Sequence, residues 1–388
     1  MDASFFIARR LRFKGNIAMV SIAVSFLVMI IAVAVSSGFR AEIRSGLSDL
    51  SGDIRITPPS RSVLDESRPI EENAAYRPYI GGVDGISHIR PVVYKAGIVK
   101  NGENIHGVVF KGIQRDADTV SLPVDIPRRL ADISGLKPGD RMLAYFVGEE
   151  VKVRQFNVVS VYDALVQTDD RLVVYAGISD LQRLNGWDDG YVSCLEIMME
   201  DSRKNEGDIE AANDEIGTLI NVYSSEDEEF VISSSSVSTY PQLFDWLDLI
   251  DFNVFFILVL MTIVAGFNMI SGLLIMLFEN IPTIGLLKSL GMTDRAISKV
   301  FLSSSAILVL KGMAIGNALA LCFCFVQDKM KILKLDPENY FVPYVPVDPD
   351  LGLILASDAA AFVLIILFLL IPCLFISKVD PAETVRVK

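Results

Sequence analysis

Histidine is almost missing: His88 and His106 are the only two in 388 residues. No HExxH pair, no Cys/His zinc spacing and no GxSxG elbow occurs, which removes the common zinc-hydrolase and serine-hydrolase layouts. His88 ends a glycine-rich stretch, Gly81–His88, and reads as a loop residue. A GxxxxGK[ST] string is absent as well, so this chain cannot bind and hydrolyse ATP in the P-loop manner by itself. Cysteine is scarce. Of the four, only Cys194 lies outside the apolar runs, so the large polar region cannot close an internal disulfide. Cys322 and Cys324, two residues apart on a helix, face different directions and read as buried small hydrophobes. Neither a bound metal nor a nucleic-acid partner is expected.

The most telling absence is of charge. Ile17–Ser37 and Phe252–Leu277 contain no Asp, Glu, Lys or Arg, while Val300–Val326 and Leu351–Ile376 carry one each, Lys311 and Asp358. Each run meets the roughly 20 residues needed to cross a bilayer. The first also exceeds the roughly 7–15 apolar residues of a cleavable signal peptide and is read as a retained span. Four membrane helices follow, and with them an integral membrane protein in contact with lipid.

Lys and Arg favour the cytoplasm. The segment 1–16, with Arg9, Arg10, Arg12 and Lys14 against one acid, is therefore placed inside. Span one (17–37) then leads to an outer domain (38–251), span two (252–278), an inner segment (279–299), span three (300–326), an outer loop (327–350), span four (351–376) and an inner tail (377–388). Arg40–Asp251 has a net charge of −16, whereas the three inner segments sum to +5, as that orientation requires. Lys329, Lys331 and Lys334 oppose the rule and are read as a helix extension lying at the lipid headgroups. Asp358, near the outer end of its span, is read as cheaper to hydrate than a charge at mid-span.

The outer domain is expected to be mixed α/β. Asp53–Thr57, Ile105–Phe110, Val151–Tyr162 and Arg171–Tyr175 alternate β-branched or aromatic residues with polar ones, the strand signature. Ser179–Leu184 and Ser202–Leu219 read as helices, and Leu136–Asp140 (LKPGD) as a turn. Two subdomains are anticipated, one built from Arg40–Gly102 and Val192–Tyr240, the other inserted between them. Asp163–Asp170, between two strand signals, reads as a hairpin tip: by default a solvated acidic loop, alternatively a grip for a soluble partner through Leu165, Val166 and Gln167.

The inner segment is the most distinctive stretch. Pro282 favours a helix starting near it, Ile284, Leu287 and Leu290 recur at roughly three-residue spacing, and Gly291 ends the turn before Thr293 caps the next helix. Within the spans, Gly312 and Gly316 form a GxxxG pair continued by Ala320, a face for close helix approach. Asn268 and Ser271 give span two a polar side suited to burial against protein. Lys311 falls mid-span, where a charge costs roughly 2.5 kcal/mol or more, so it reads either as a pathway residue or as a Lys whose stem reaches an interface.

From Gln242 to Ser303 the order is an amphipathic lead-in, an FN-I-S segment, Glu279 closing the span, then hydrophobic-Leu-Lys-x-hydrophobic-Gly. Phe6–Leu11 (FIARRL), Ser37–Phe39 (SGF), Leu335–Val347 (LDPENYFVPYVPV) and Asp380–Arg386 (DPAETVR) complete a pattern spread over most of the chain. It resembles the permeases of lipoprotein-releasing ABC transporters, the LolC/LolE group within the FtsX/MacB-like permeases.

The resemblance implies four helices with a large periplasmic α/β domain after the first, in the bacterial inner membrane. It also implies a permease without its own ATPase site. A separate cytoplasmic ATPase dimer, holding ATP and magnesium, would dock on Glu279, Thr283, Ile284, Leu287, Lys288, Leu290 and Gly291. In that picture Ile284, Leu287 and Leu290 enter the ATPase groove and Lys288 meets acids at its rim. Many relatives have a second acid where this chain has Thr283. A second permease copy or paralogue, a lipoprotein substrate and a periplasmic carrier complete the implied partners. The alternatives are an FtsX-like transmitter that activates a cell-wall hydrolase, and a MacB-like efflux permease.

Overall fold

The computed structural model describes residues 16–59, 68–101, 104–115, 121–148, 151–164, 172–200, 205–336 and 340–373. Two compact units divide the chain, one taking in Met1–Ala41, Trp246–Lys334 and Tyr344–Lys388, the other Glu42–Asp245 and Leu335–Pro343.

Helix α1 (Asn16–Ser51) carries the first apolar run and is followed by β1 (Ile54–Thr57), β2 (Ile70–Glu71), α2 (Arg77–Ile80), β3 (Ile86–Asn101) and β4 (Asn104–Ile113). Next come β5 (Pro123–Pro127), α3 (Arg128–Ser134), β6 (Arg141–Val147), β7 (Val151–Tyr162), β8 (Leu172–Gly177) and α4 (Ile178–Asn185). The α/β unit then continues through β9 (Tyr191–Val192), β10 (Cys194–Met199), α5 (Glu206–Tyr223), β11 (Ile232–Ser235) and α6 (Ser236–Thr239). The four strand signals fall on β1, β4, β7 and β8, and the two helical ones on α4 and α5. Helix α5 starts where the Asn205 side chain accepts the Asp208 N–H, and it buries Ile209, Ala212, Ile216 and Ile220 along one stripe. At the Leu136–Asp140 turn Gly139 has a φ of +94° and the Asp140 carboxylate accepts the Lys137 N–H at 2.8 Å.

Nine strands run in the order β11-β1-β10-β3-β4-β8-β5-β7-β6, and β3 also pairs with β6. The last six therefore close on themselves as a small barrel. Phe110, Phe146 and Phe156 fill it, with Phe110 5.0 Å from Phe146 and 5.1 Å from Phe156 between ring centroids. Gly97 lines the same interior, and a Cβ there would stand 2.8 Å from the Phe110 ring.

Three expectations need correction. The barrel and the outer strands are joined by one strand, because β3 pairs with β10 over Ile86–Val92 and with β4 over Val93–Asn101, so the two anticipated parts share a sheet. His88 lies within β3, opposite Met198, and is no loop residue: the glycines end at Gly85 and β3 begins at Ile86, held by its pairing with β10. Finally, β7 and β8 do not form a hairpin, since β5 sits between them, parallel to β7 and antiparallel to β8. Of the connection Asp163–Asp170, Leu165, Val166 and Gln167 lie outside the described residues.

A buried charge cluster closes the end of α1. Glu196 on β10 is fully buried and accepts from Lys111 at 2.9 Å, from Arg90 at 2.6 Å and from the Tyr94 hydroxyl at 2.7 Å. Lys111 also donates to the carbonyls of Asp49 and Leu50, and Arg90 to that of Asp49. Those carbonyls belong to the last turn of α1, which has no intrahelical donors for them, so the cations satisfy both the helix end and its dipole. Burial alone would raise the Glu196 carboxyl, but Lys111, Arg90 and Arg55 outweigh it and hold the group below the usual range. Burial pulls the Lys111 ammonium down to about 8, against the opposing pull of Glu196.

The helical unit is built from α1, α7 (Pro241–Glu279), α8 (Ile281–Ser289), α9 (Asp294–Met330) and α10 (Leu351–Cys373). All but α8 are long and apolar enough to cross a membrane. Arg40 and Ser36 of α1 both bond to Asp251 of α7, Arg40 reaches Asp248 at 3.1 Å, and Phe39 meets Trp246 edge-on at 5.5 Å. The lysine-bearing helix extension after span three stops at Met330. Lys331 adopts a left-handed conformation and sets its ammonium 3.8 Å from the centre of the Tyr344 ring, and Lys334 pairs with Tyr344 as a β-bridge.

Candidate functional site

The segment between the second and third spans folds as expected at its ends. Helix α8 opens with Pro282 in its first turn, where the missing N–H costs nothing. Gly291, at a φ of +86°, closes it, with the Met292 N–H bonded to the Leu287 carbonyl and the Gly291 N–H to that of Lys288. The Thr293 hydroxyl then accepts the Ala296 N–H to start α9.

The orientation of α8 differs from the expected one. Ile284 is fully buried, in one cluster with Met276, Leu277, Ile297 and Phe301, and Leu287 packs against that cluster. These two residues hold α8 to its own chain. The apolar side left outward is Leu286, 59% exposed, and Leu290, 76% exposed, in line with exposed Thr283 and Glu279. Nor does Lys288 point out to a rim, because its side chain is largely buried and its ammonium meets Asp294 at 2.9 Å. The helix is apolar on nearly every side, so spacing alone does not choose between an Ile284/Leu287 stripe and a Leu286/Leu290 stripe. Contact with α9 decides it.

In the spans, Gly312 and Gly316 lie against α1. A Cβ at Gly316 would stand 2.5 Å from the Ala23 carbonyl oxygen, and one at Gly312 would stand 2.7 Å from the Ile22 side chain. Ala320 continues the contact in a cluster with Ile30 and Val33. Asn268 donates to Ser21 of α1, while Ser271 is exposed among the described residues. Gly266, near Asn268, seats the Phe368 ring of α10. Lys311 is exposed rather than turned to the core of the bundle.

Gly316→Leu is expected to separate α9 from α1, because no rotamer moves a side chain off a backbone oxygen at that distance. Overpacking of this kind costs about 1–3 kcal/mol or more. The check is thermal unfolding of the purified chain in detergent, where Ser271→Leu, at an exposed position of α7, should leave the midpoint unchanged.

Among the described residues no three His, Cys, Asp or Glu side chains converge to hold a metal ion. Asp358 is a further correction. It is 4% exposed and faces the bundle, so the expected hydration is missing.

Residues 255–381 match the family model for the FtsX-like permease C-terminal domain. Over 97% of its length the chain is 23% identical to the lipoprotein-releasing system transmembrane protein LolC of Neisseria meningitidis serogroup B, covering 96% of that protein. It is 20% identical to LolC of Xylella fastidiosa (strain Temecula1), again over 97% of the chain and covering 95% of that protein. Among solved structures, the extracellular domain of the ABC-type transporter YknZ from Gram-positive bacteria aligns at a TM-score of 0.30 and 15% identity, over 47% of this chain and 99% of that one. The periplasmic region of MacB from Actinobacillus actinomycetemcomitans aligns at 0.32 and 13%, over 50% and 95%. At those scores the architecture rests on its own strands and helices. The chain thus carries an FtsX-like permease C-terminal domain on its last three spans and is similar over nearly its whole length to LolC proteins.

Proposed function

We propose that the chain is the permease subunit of an inner-membrane transporter that extracts lipoproteins from the outer leaflet and passes them to a periplasmic carrier. The whole-length likeness to two LolC proteins supports the choice of cargo. A separate cytoplasmic ATPase dimer, binding ATP and magnesium, supplies the work, and a second permease copy or a paralogue completes the pathway.

The observation that carries the coupling role is the outward pair Leu286 and Leu290 on a helix riveted to the bundle by Ile284. An apolar helix face laid in a groove is a standard mode of recognition. Here the docked helix cannot slide independently, since Ile284 shares its packing with α7 and α9. Closure of the ATPase on nucleotide therefore moves those spans together.

The test is purification of the full chain in detergent with identification of what accompanies it. An ATPase together with acylated proteins is the expected result. An ATPase together with a peptidoglycan hydrolase would replace export by an FtsX-like signalling role.

A further inference from the structure

The inward stripe of α10 reads Ile354, Asp358, Ala361, Ile365 and Leu369, all buried. One position in this apolar series is a carboxyl group. The Asn317 amide of α9 donates to Asp358 Oδ2. The remaining two oxygens, Asp358 Oδ1 and Asn317 Oδ1, are both buried, and neither has a hydrogen-bond partner among the described residues. Two lone acceptors in one pair cannot satisfy each other.

Among the described residues no cation is placed to compensate an ionised carboxylate. Span one and span two, over 17–37 and 252–277, contain no charged residue, and span three contains only Lys311, six residues from Asn317 and exposed. Within the four spans the other titratable groups are cysteines: Cys322, exposed, Cys324, buried seven residues from Asn317, and Cys373, fifteen residues along α10 from Asp358. A lone buried ion costs several kcal/mol even after relaxation. A single proton removes the difficulty. On Oδ1 it turns an acceptor into a donor, and acid and amide then form a two-point cyclic pair in which the Asn317 carbonyl oxygen is used as well.

We propose that Asp358 is an intramembrane proton-binding site, carried as a neutral carboxylic acid whose pair with Asn317 latches span three to span four. The latch is shape-selective and uncharged. It lets the two helices part and rejoin within the bilayer without exposing an ion to lipid.

A lipophilic carbodiimide tests this, because it takes the proton of a carboxylic acid onto nitrogen, is then attacked at its central carbon by the carboxylate, and rearranges to a stable N-acylurea. Ionised carboxylates do not follow that route. The full chain in detergent, treated with dicyclohexylcarbodiimide at pH 7, should carry one adduct on Asp358 by peptide mass spectrometry, with the exposed Asp348 and Asp350 unmodified. In parallel, Asp358→Asn should melt with the parent chain, since an amide replaces the acid as donor, while Asp358→Leu should melt earlier. An unmodified Asp358 at pH 7, or an Asp358→Asn variant that melts with Asp358→Leu, overturns the proposal.

Discussion

Leu286→Glu combined with Leu290→Glu is expected to abolish copurification with the cognate ATPase while leaving the permease folded. Both side chains are exposed, so neither substitution disturbs the chain's own core. Burying a leucine contributes about 2 kcal/mol, and losing two such anchors weakens docking roughly a thousandfold. The carboxylates would add a desolvation cost inside an apolar groove. Leu287→Glu provides the contrast. It strikes a residue packed against Ile284 and the bundle, so it should lower the yield and melting temperature of the permease itself. Pull-down with tagged ATPase, read beside detergent melting curves, separates the two cases. If the double exposed variant still brings down the ATPase, the outward face of α8 is not the docking surface.

Glu196→Leu should destabilise the α/β unit by about 3–5 kcal/mol, the cost of removing one partner from a buried ionic group. Lys111, fully buried, would lose the carboxylate that opposes its desolvation and be left with the Asp49 and Leu50 carbonyls and the faces of Tyr94 and Tyr175. The sign of the pH effect follows from the depressed carboxyl. Its contribution is whole above the unfolded value near 4.5 and disappears as pH falls through the lower folded value. Chemical denaturation of the chain between pH 7 and pH 3 should show that acid-side loss, and Glu196→Leu should flatten it. A variant as stable as the parent at pH 7 would show the cluster to be dispensable.

Membrane spans were the most legible part of the chain, because a run such as Phe252–Leu277 without one charge has no stable alternative to an apolar surround. The strands β1, β4, β7 and β8 were legible for a similar reason, since alternation fixes which faces are buried. Pairing was not. Nothing in Val151–Tyr162 or Arg171–Tyr175 tells that the short β5, with a proline at each end, comes between them. The inward side of α8 was equally hidden, since Ile284, Leu286, Leu287 and Leu290 are alike in chemistry and differ only in what α7 and α9 bring near them. The Glu196 cluster gave no sign at all, as Glu196 lies 85, 106 and 141 residues from Lys111, Arg90 and Arg55 in a domain full of charge. Asp358 did stand out as a single acid in an apolar run. Its partner became visible only once Asn317 and the stripe of α10 were placed.

The way α1 ends has a mechanical meaning. Its final carbonyls are gripped by two cations, which a buried carboxylate in turn keeps from drifting. Such a joint resists small loads stiffly, because the Lys111 and Glu196 side chains are buried and hold several bonds at once. Past its limit it should let go all at once. Its failure is brittle rather than gradual.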